Sequence, residues 1–362
     1  MKISILTDVH FGCRNNSKYF MQQQVDFFNN VFFPYIIEKD ITTLFILGDT
    51  HDNRKTLEIN VFNTFKEVFF DRLEKLNINV YMLIGNHDSF HKNNINVNSV
   101  SMYGEMYKNI NVINDFKDVP FCINGTDTDY STVDIGFCSW VTPESEQDFY
   151  RYLQNSKAKY LFGHFEISGF EMTKGHPCED GIQKTIFSKF SAGVYSGHFH
   201  VRSTKDNITY VSNQIQLNWG DHGLDKGFGV IDISTGDFEY INNPVTIFEK
   251  ITFSDAIDLL KFNYNYYTNK IVRVYILASD LKNKKFDLFL EKLSTVAHQF
   301  EVVPINNLEV NNLEVELNQD IDTKTLIFKY IEGLNVDNKQ TYLQLLDNLY
   351  IEALTKISND GA

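Results

Sequence analysis

TLFILGDTHD (residues 43–52) and VYMLIGNHD (80–88) decide how this chain folds. Each is a run of apolar residues that ends in a glycine turn carrying Asp or Asn and a histidine. Such runs read as buried strands. ISIL (3–6) is an earlier strand of the same kind. Between the strands, residues 20–39 place Val25, Phe28, Phe32 and Ile36 at helical spacing, and 57–76 read as a second helix. The βαβαβ rhythm predicts an α/β fold with a central sheet layered by helices.

After about residue 110 the runs shorten: NVIND, FCING, DIGFCSW, KYLFGHF, AGVYSGHFH, ITYVSN, FGVIDIS and DFEYI. They predict a second sheet packed on the first, a four-layer αββα sandwich over residues 1–245. Asn243-Pro244 marks a boundary. Beyond it, 246–306 read as a small α+β unit: strands at 248–253, 270–279 and 299–305, helical stretches at 255–261 and 283–298. An acidic, Asn-rich linker (307–322) and a C-terminal helical segment (323–362) complete the chain.

The formal net charge is −14. A free-standing DNA binder is usually basic on its contact face. This balance counts against tight autonomous duplex binding, but not against an enzyme that meets phosphate through cations. Four cysteines with no CxxC pair argue against a structural zinc site of that type. Sparse cysteine and the lack of a signal peptide or a transmembrane-length apolar run point to the cytoplasm.

The chemistry lies in five pieces, each where a strand hands over to a loop: Asp8-Val9-His10, Gly48-Asp49-Thr50-His51-Asp52, Gly85-Asn86-His87-Asp88, Gly163-His164 and Gly197-His198-Phe199-His200. Ligands of open α/β folds gather beyond the carboxyl ends of strands, so the pieces can converge. Carboxylates, an amide and several imidazoles suit Mn²⁺, Fe²⁺ or Zn²⁺ better than a thiolate metal or a calcium cage. They exceed what one tetrahedral ion needs, and two ions about 3.5–4 Å apart would use them all. The glycines are expected to let the backbone turn sharply where each ligand projects. One such piece alone would most often be an ordinary loop; five in order are not.

Taken together, the pieces resemble the calcineurin-like metallophosphoesterase superfamily over residues 1–235. GHFEISGF (163–170), YSGHFHVR (195–202) and LNWGDHGLDKGFGVID (217–232) look most like SbcD-type DNA-repair nuclease subunits and their bacteriophage recombination-endonuclease relatives. The resemblance implies a metallophosphoesterase sandwich with a capping α+β domain and C-terminal helices. It implies an exonuclease and endonuclease that hydrolyses DNA phosphodiester bonds with two metals, Mn²⁺ first, with Mg²⁺, Fe²⁺ and Zn²⁺ as alternatives. One metal would take Asp8, His10, Asp49 and His200. The other would take Asp49, Asn86, His164 and His198, with Asp49 bridging. His87 would protonate the leaving oxygen, and Asp88 would orient His87 through a carboxylate–imidazole hydrogen bond.

The implied partners are DNA, a second copy of the chain and an SbcC-like, SMC-family ATPase. The dimer would use helices near 93–107 beside 57–76. The amphipathic stripe of 339–356 fits docking on the ATPase or packing on its own domain. If the chain is phage-encoded, the host cytoplasm is its place of work.

Some relatives carry histidine where Asp52 stands; His51 is left without a role. Arg14, Arg54 and Arg202 each follow a metal motif, and contact with substrate phosphate or plain solvation fits each. His91, His176, His222 and His298 read as loop histidines, with His176 in reach of substrate as the alternative. The competing functions are a small-substrate metallophosphatase or cyclic-nucleotide phosphodiesterase, and a non-enzymatic scaffold. A scaffold would be free to lose ligands, and none is lost.

Overall fold

The computed structural model describes residues 1–126 and 129–305. The 307–322 linker and the helices expected within 323–362 lie outside the described residues.

Four strands open the chain: β1 (Lys2–Leu6), β2 (Thr43–Ile46), β3 (Asn79–Leu83) and β4 (Ile110–Ile113). They pair in parallel, in that order. Next come β5 (Phe116–Thr126), β6 (Asp129–Cys138), β7 (Tyr160–His164) and a hairpin of β8 (Glu171–Thr173) and β9 (His176–Pro177). They are followed by β10 (Gly193–Gly197), β11 (Ser203–Lys205), β12 (Ile208–Tyr210), β13 (Gly227–Asp232) and β14 (Phe238–Asn242). The first sheet runs β14-β13-β1-β2-β3-β4 and the second β11-β12-β10-β7-β6-β5.

Alternation along each strand builds the layers, because successive side chains point to opposite faces. Ile3, Ile5, Phe45, Leu47 and Leu83 face the second sheet, where they meet Phe137, Tyr160, Phe162 and Tyr195. Leu6, Leu44, Ile46, Val80 and Met82 face the other way, onto the helical layer of Phe28, Phe32, Phe65 and Phe69. On the second sheet, Leu161 and Val194 face outward onto Phe149 and Leu153, which lie on the helix Glu146–Asn155. The expected order αββα is therefore observed.

Both long helices of the first layer differ from a plain α-helix. Each carries a π turn, at Phe28–Phe32 and Lys66–Phe70. The extra residue per turn lets Phe28, Phe32, Phe69 and Phe70 all bury completely. The helix expected near 93–107 is confined to Ser101–Met106. Its first half is a loop because asparagines hydrogen-bond their own backbone. The Asn98 side chain accepts from Ser101 N (2.8 Å) and donates to the Ile95 carbonyl (2.9 Å). Residues 255–261 form turns instead of a helix; the Asp258 carboxylate accepts from Leu260 N (3.0 Å).

The chain then enters a third sheet of β15 (Phe248–Thr252), β16 (Ile271–Leu277) and β17 (Gln299–Ile305). The helix Lys284–Ser294 is capped by the Asn283 side chain on Lys285 N. Val272, Val274 and Ile276 alternate inward along β16 and meet Phe286, Phe289 and Leu293. The sheet is tied to the rest of the unit through Gln216, whose side-chain oxygen accepts from Ile247 N (2.8 Å) and Phe248 N (2.9 Å).

Candidate metal centre

The five motif pieces meet in one cleft. Parallel pairing of β1, β2 and β3 lines up the ends that carry Asp8, Asp49 and Asn86. Pairing of β7 with β10 does the same for His164 and the turn of His198 and His200. The cleft has a volume of about 430 Å³, and His10, Asp49, Asn86, His87, His198 and His200 line it.

Three groups of possible ligand atoms form at it, each drawn together to within 4.8 Å: Asp8, His10 and His200; Asp49, His164 and His198; and His10, Asp52 and His87, which shares His10 with the first. His10 Nε2 lies 3.2 Å from His200 Nε2 and 3.8 Å from Asp49 Oδ2. His200 Nε2 is 3.6 Å from Asp8 Oδ1. On the other side, Asn86 Oδ1 faces His164 Nε2 at 3.0 Å and His198 Nδ1 at 2.9 Å. Asp49 Oδ2 sits 3.4 Å from His164 Nε2, so this carboxylate lies between the first two groups.

The backbone is held out of its ordinary range to achieve this. Asp8, His10, Asp49 and His198 all have positive φ, between 50° and 83°. A non-glycine residue there costs about 1–3 kcal/mol and persists only where its surroundings fix it, which is characteristic of functional sites. Of the motif glycines only Gly48 has positive φ, at 92°. Gly85 and Gly197 serve close approach instead. A Cβ on Gly85 would overlap the Asp49 carboxylate and backbone nitrogen, and one on Gly197 would overlap the Thr7 hydroxyl. Gly85→Ala is expected to push Asp49 out of place. Unfolding should show a loss of about 1–3 kcal/mol, with weaker uptake of divalent ions by calorimetry.

Electrostatics follow from burial and crowding. Burial opposes ionisation of Asp8, yet a hydrogen bond with His200 and the charge of His164 bring it down to about 2. Asp49 is also held low: burial opposes ionisation, but His164 and His10 outweigh it. Burial pulls His164 down, and the neighbouring Asp49 more than reverses that, to about 9. Burial, followed by the charge of His164, depresses His198 to about 3. Buried acceptors facing one another, and ring nitrogens paired nose to nose, form a set that divalent cations would satisfy. By donor chemistry, then, these residues fit two such ions.

His87 lines the cleft, and its backbone N–H donates to Asp49 Oδ1 (2.8 Å). Its Nδ1 donates to the Asp52 carbonyl (2.7 Å), which turns Nε2 toward the cleft. The expected Asp88–His87 hydrogen bond is absent. The Asp88 carboxylate turns under the loop and accepts from Gly85 N (2.9 Å) and His51 N (3.0 Å), binding the two motif turns together. Burial and the Asp49 charge raise Asp88 to about 7. The Asp52 carbonyl, not Asp88, orients His87.

His51 faces the core. Its ring bonds Ser99 Oγ (2.9 Å) and Tyr103 OH (3.0 Å), and burial lowers its pKa from 6.5 to about 4. Between those two values the unfolded chain binds a proton that the folded one refuses, so stability falls as pH drops from 6.5 toward 4. His51→Gln should remove about 3 kcal/mol of that slope in denaturant titrations.

The three arginines divide. Arg14 lines the cleft. Arg202 is turned away: its guanidinium lies 4.0 Å from the Tyr240 ring centroid and donates to Asn242 Oδ1 (2.6 Å). Arg54 is half-buried and is not a lining residue. His176 stands on the exposed hairpin strand β9, away from the cleft lining.

Three residues to which the sequence assigned no role border the site. Asp52 Oδ1 lies 3.3 Å from His10 Nδ1. Glu166 Oε2 lies 4.0 Å from His198 Nε2. The Trp140 ring centroid is 4.9 Å from that of His198. Asp52 closes the GDTHD motif and Glu166 follows the GH motif by two residues; proximity to a ligand was the available signal. Trp140 lies two residues past the end of β6 and gave none.

Exonuclease subunit 1 of Enterobacteria phage T4 is 28% identical over 361 residues, covering 98% of this chain and 99% of the relative. Among solved structures, an archaeal phosphodiesterase covers 67% of this chain and 100% of its own, at 13% identity and a TM-score of 0.33. The calcineurin-like phosphoesterase YfkN from Bacillus subtilis covers 67% and 88%, at 11% identity and a TM-score of 0.32. No helix among the described residues is long and apolar enough to cross a membrane. The calcineurin-like phosphoesterase profile matches residues 1–202, more than half of the 362-residue chain, and the chain belongs to that family of metal-dependent phosphoester hydrolases.

Proposed function

We propose that this chain is a Mn²⁺-dependent DNA exonuclease and endonuclease, the nuclease subunit of an SbcCD-type recombination or repair complex working in the cytoplasm of a host cell. The observation that carries the reading is the convergence of Asp8, His10, Asp49, Asn86, His164, His198 and His200 in one cleft. The near full-length likeness to the phage T4 exonuclease subunit supports DNA as the substrate.

Two cations held there would supply Lewis acidity and a water of lowered pKa. Asp8 and His10, with His200, would hold one cation; Asn86, His164 and His198 would hold the other; Asp49 would bridge. The chain's own part in proton transfer is carried by His87. With Nδ1–H held by the Asp52 carbonyl, Nε2 would donate to the oxygen leaving phosphorus from the imidazolium form, in which both ring nitrogens carry a proton. Arg14, at the rim, would contact the phosphate backbone.

Exposed Ile59 (76%), Val97 (56%) and Met106 (44%), on and beside the helices expected at the dimer interface, support a homodimer. We assign the third sheet as a capping domain that flanks the DNA, and residues 323–362 as the segment that meets an SbcC-like ATPase.

Turnover of end-labelled duplex DNA, bis-p-nitrophenyl phosphate and cyclic AMP with Mn²⁺ tests the reading. DNA hydrolysis that rises when the ATPase is added is expected. Efficient cyclic AMP turnover with no DNA cleavage would replace it with a small-substrate phosphodiesterase.

A further inference from the structure

We propose that Lys226 is a positioning residue for His200, fixing the peptide that aims this imidazole into the metal centre. The inference rests on the two-metal reading above. The Lys226 side chain stands in the stretch LNWGDHGLDKG, and from sequence it looked like one more basic loop residue. In the fold it is 3% exposed. Its ammonium has three protons and three acceptors: Asp221 Oδ1 at 2.6 Å, Asn213 Oδ1 at 2.7 Å and the His200 carbonyl at 2.8 Å. A lysine ammonium offers three donors, so this set is complete and its direction is fixed.

Stability alone does not explain the arrangement. A buried ion pair is commonly no better than well-packed apolar residues of the same volume. What the pair does is hold backbone. Asp221 Oδ2 accepts from Leu217 N (2.7 Å) and Asn218 N (3.3 Å), and both of those residues line the cleft. Gln216 Nε2 donates to the Asp221 carbonyl (2.9 Å), while its oxygen binds the start of β15. The 216–226 loop is thus one fastened unit, and Lys226 is its bond to the ligand turn.

His200 needs that bond more than its neighbours do. His164 is anchored through its own ring, Nδ1 donating to the Leu47 carbonyl (2.7 Å). His200 Nε2 faces only members of the site, Asp8 and His10. Its hold on the surrounding protein comes through its carbonyl, from Lys226 and from Ser212 Oγ (2.6 Å). Groups that orient a metal ligand typically change metal affinity about ten- to a hundredfold when removed.

The deciding variant is the full-length double Asp221→Asn, Lys226→Met. It leaves no unpaired buried charge and keeps an acceptor for Leu217 N. Mn²⁺ titration by calorimetry, with electron paramagnetic resonance, is the readout. Wild type should bind two Mn²⁺ as a coupled pair. The double variant should keep its fold by circular dichroism and bind one Mn²⁺ normally. The second ion should bind about ten- to a hundredfold more weakly, with the uncoupled signal of a lone Mn²⁺. Lys226→Arg, which preserves a cation and its donors, should restore coupling in part. Two Mn²⁺ at wild-type affinity in the double variant, or equal weakening of both, would overturn the role of Lys226 and leave the two-metal reading standing. Fewer than two Mn²⁺ in wild type would remove the reading itself.

Discussion

His87→Ala is expected to lower kcat on DNA by about a hundredfold to ten-thousandfold, the range for losing a positioned general acid, while Mn²⁺ uptake stays as in wild type. The separation follows from geometry. What His87 gives to the metal centre is its backbone N–H on Asp49 Oδ1, and alanine keeps that bond. What is lost is the ring, held by the Asp52 carbonyl with Nε2 toward the cleft. A substrate whose leaving group needs no proton, such as bis-p-nitrophenyl phosphate, should lose much less rate than DNA. Equal losses on the two substrates would show that His87 binds phosphate and does not protonate the leaving oxygen.

Asp49→Asn should be more severe. The carboxylate lies between two of the ligand groups, within 3.4 Å of His164 Nε2 and 3.8 Å of His10 Nε2. Asparagine keeps the shape and an acceptor for His87 N but removes the charge that two cations would share. Cation assistance contributes several kcal/mol to phosphoryl transfer, so activity should fall by about a thousandfold or more. Added Mn²⁺ at about a hundred times its Kd should stabilise wild type by about 2.7 kcal/mol and the variant hardly at all. Scanning calorimetry with and without Mn²⁺ reads this directly. An undiminished rise in Tm for the variant would show that Asp49 is not shared.

How far the sequence led depends on the kind of information each residue carries. Strand runs such as TLFI and NVYML announced themselves because burial on both faces leaves them mostly apolar, with only Thr43 and the exposed Asn79 as polar first residues. The candidate ligands were legible because their five pieces sit at strand ends, four of them opening on a glycine, and parallel pairing lines those ends up. The π turns at Phe28–Phe32 and Lys66–Phe70 were not, since the apolar spacing of a helix absorbs one extra residue without a visible break.

The partners of side chains were the least legible. Asp88 looked like the natural orienter of His87 because it is adjacent in sequence. Neighbours in a tight turn point apart, and its carboxylate serves Gly85 N and His51 N instead. Lys226 looked solvated because lysine usually is; only the fold brings Asp221, Asn213 and the His200 carbonyl around it. Arg202 carried the same ambiguity and resolved the other way, onto Tyr240.

One diffraction experiment bears most directly on the proposed two-metal centre. Crystals grown with Mn²⁺ and measured at the manganese absorption edge should show two anomalous peaks about 3.5–4 Å apart, with Asp49 touching both. A single peak, or a pair that does not involve Asp49, would contradict the two-metal nuclease described above.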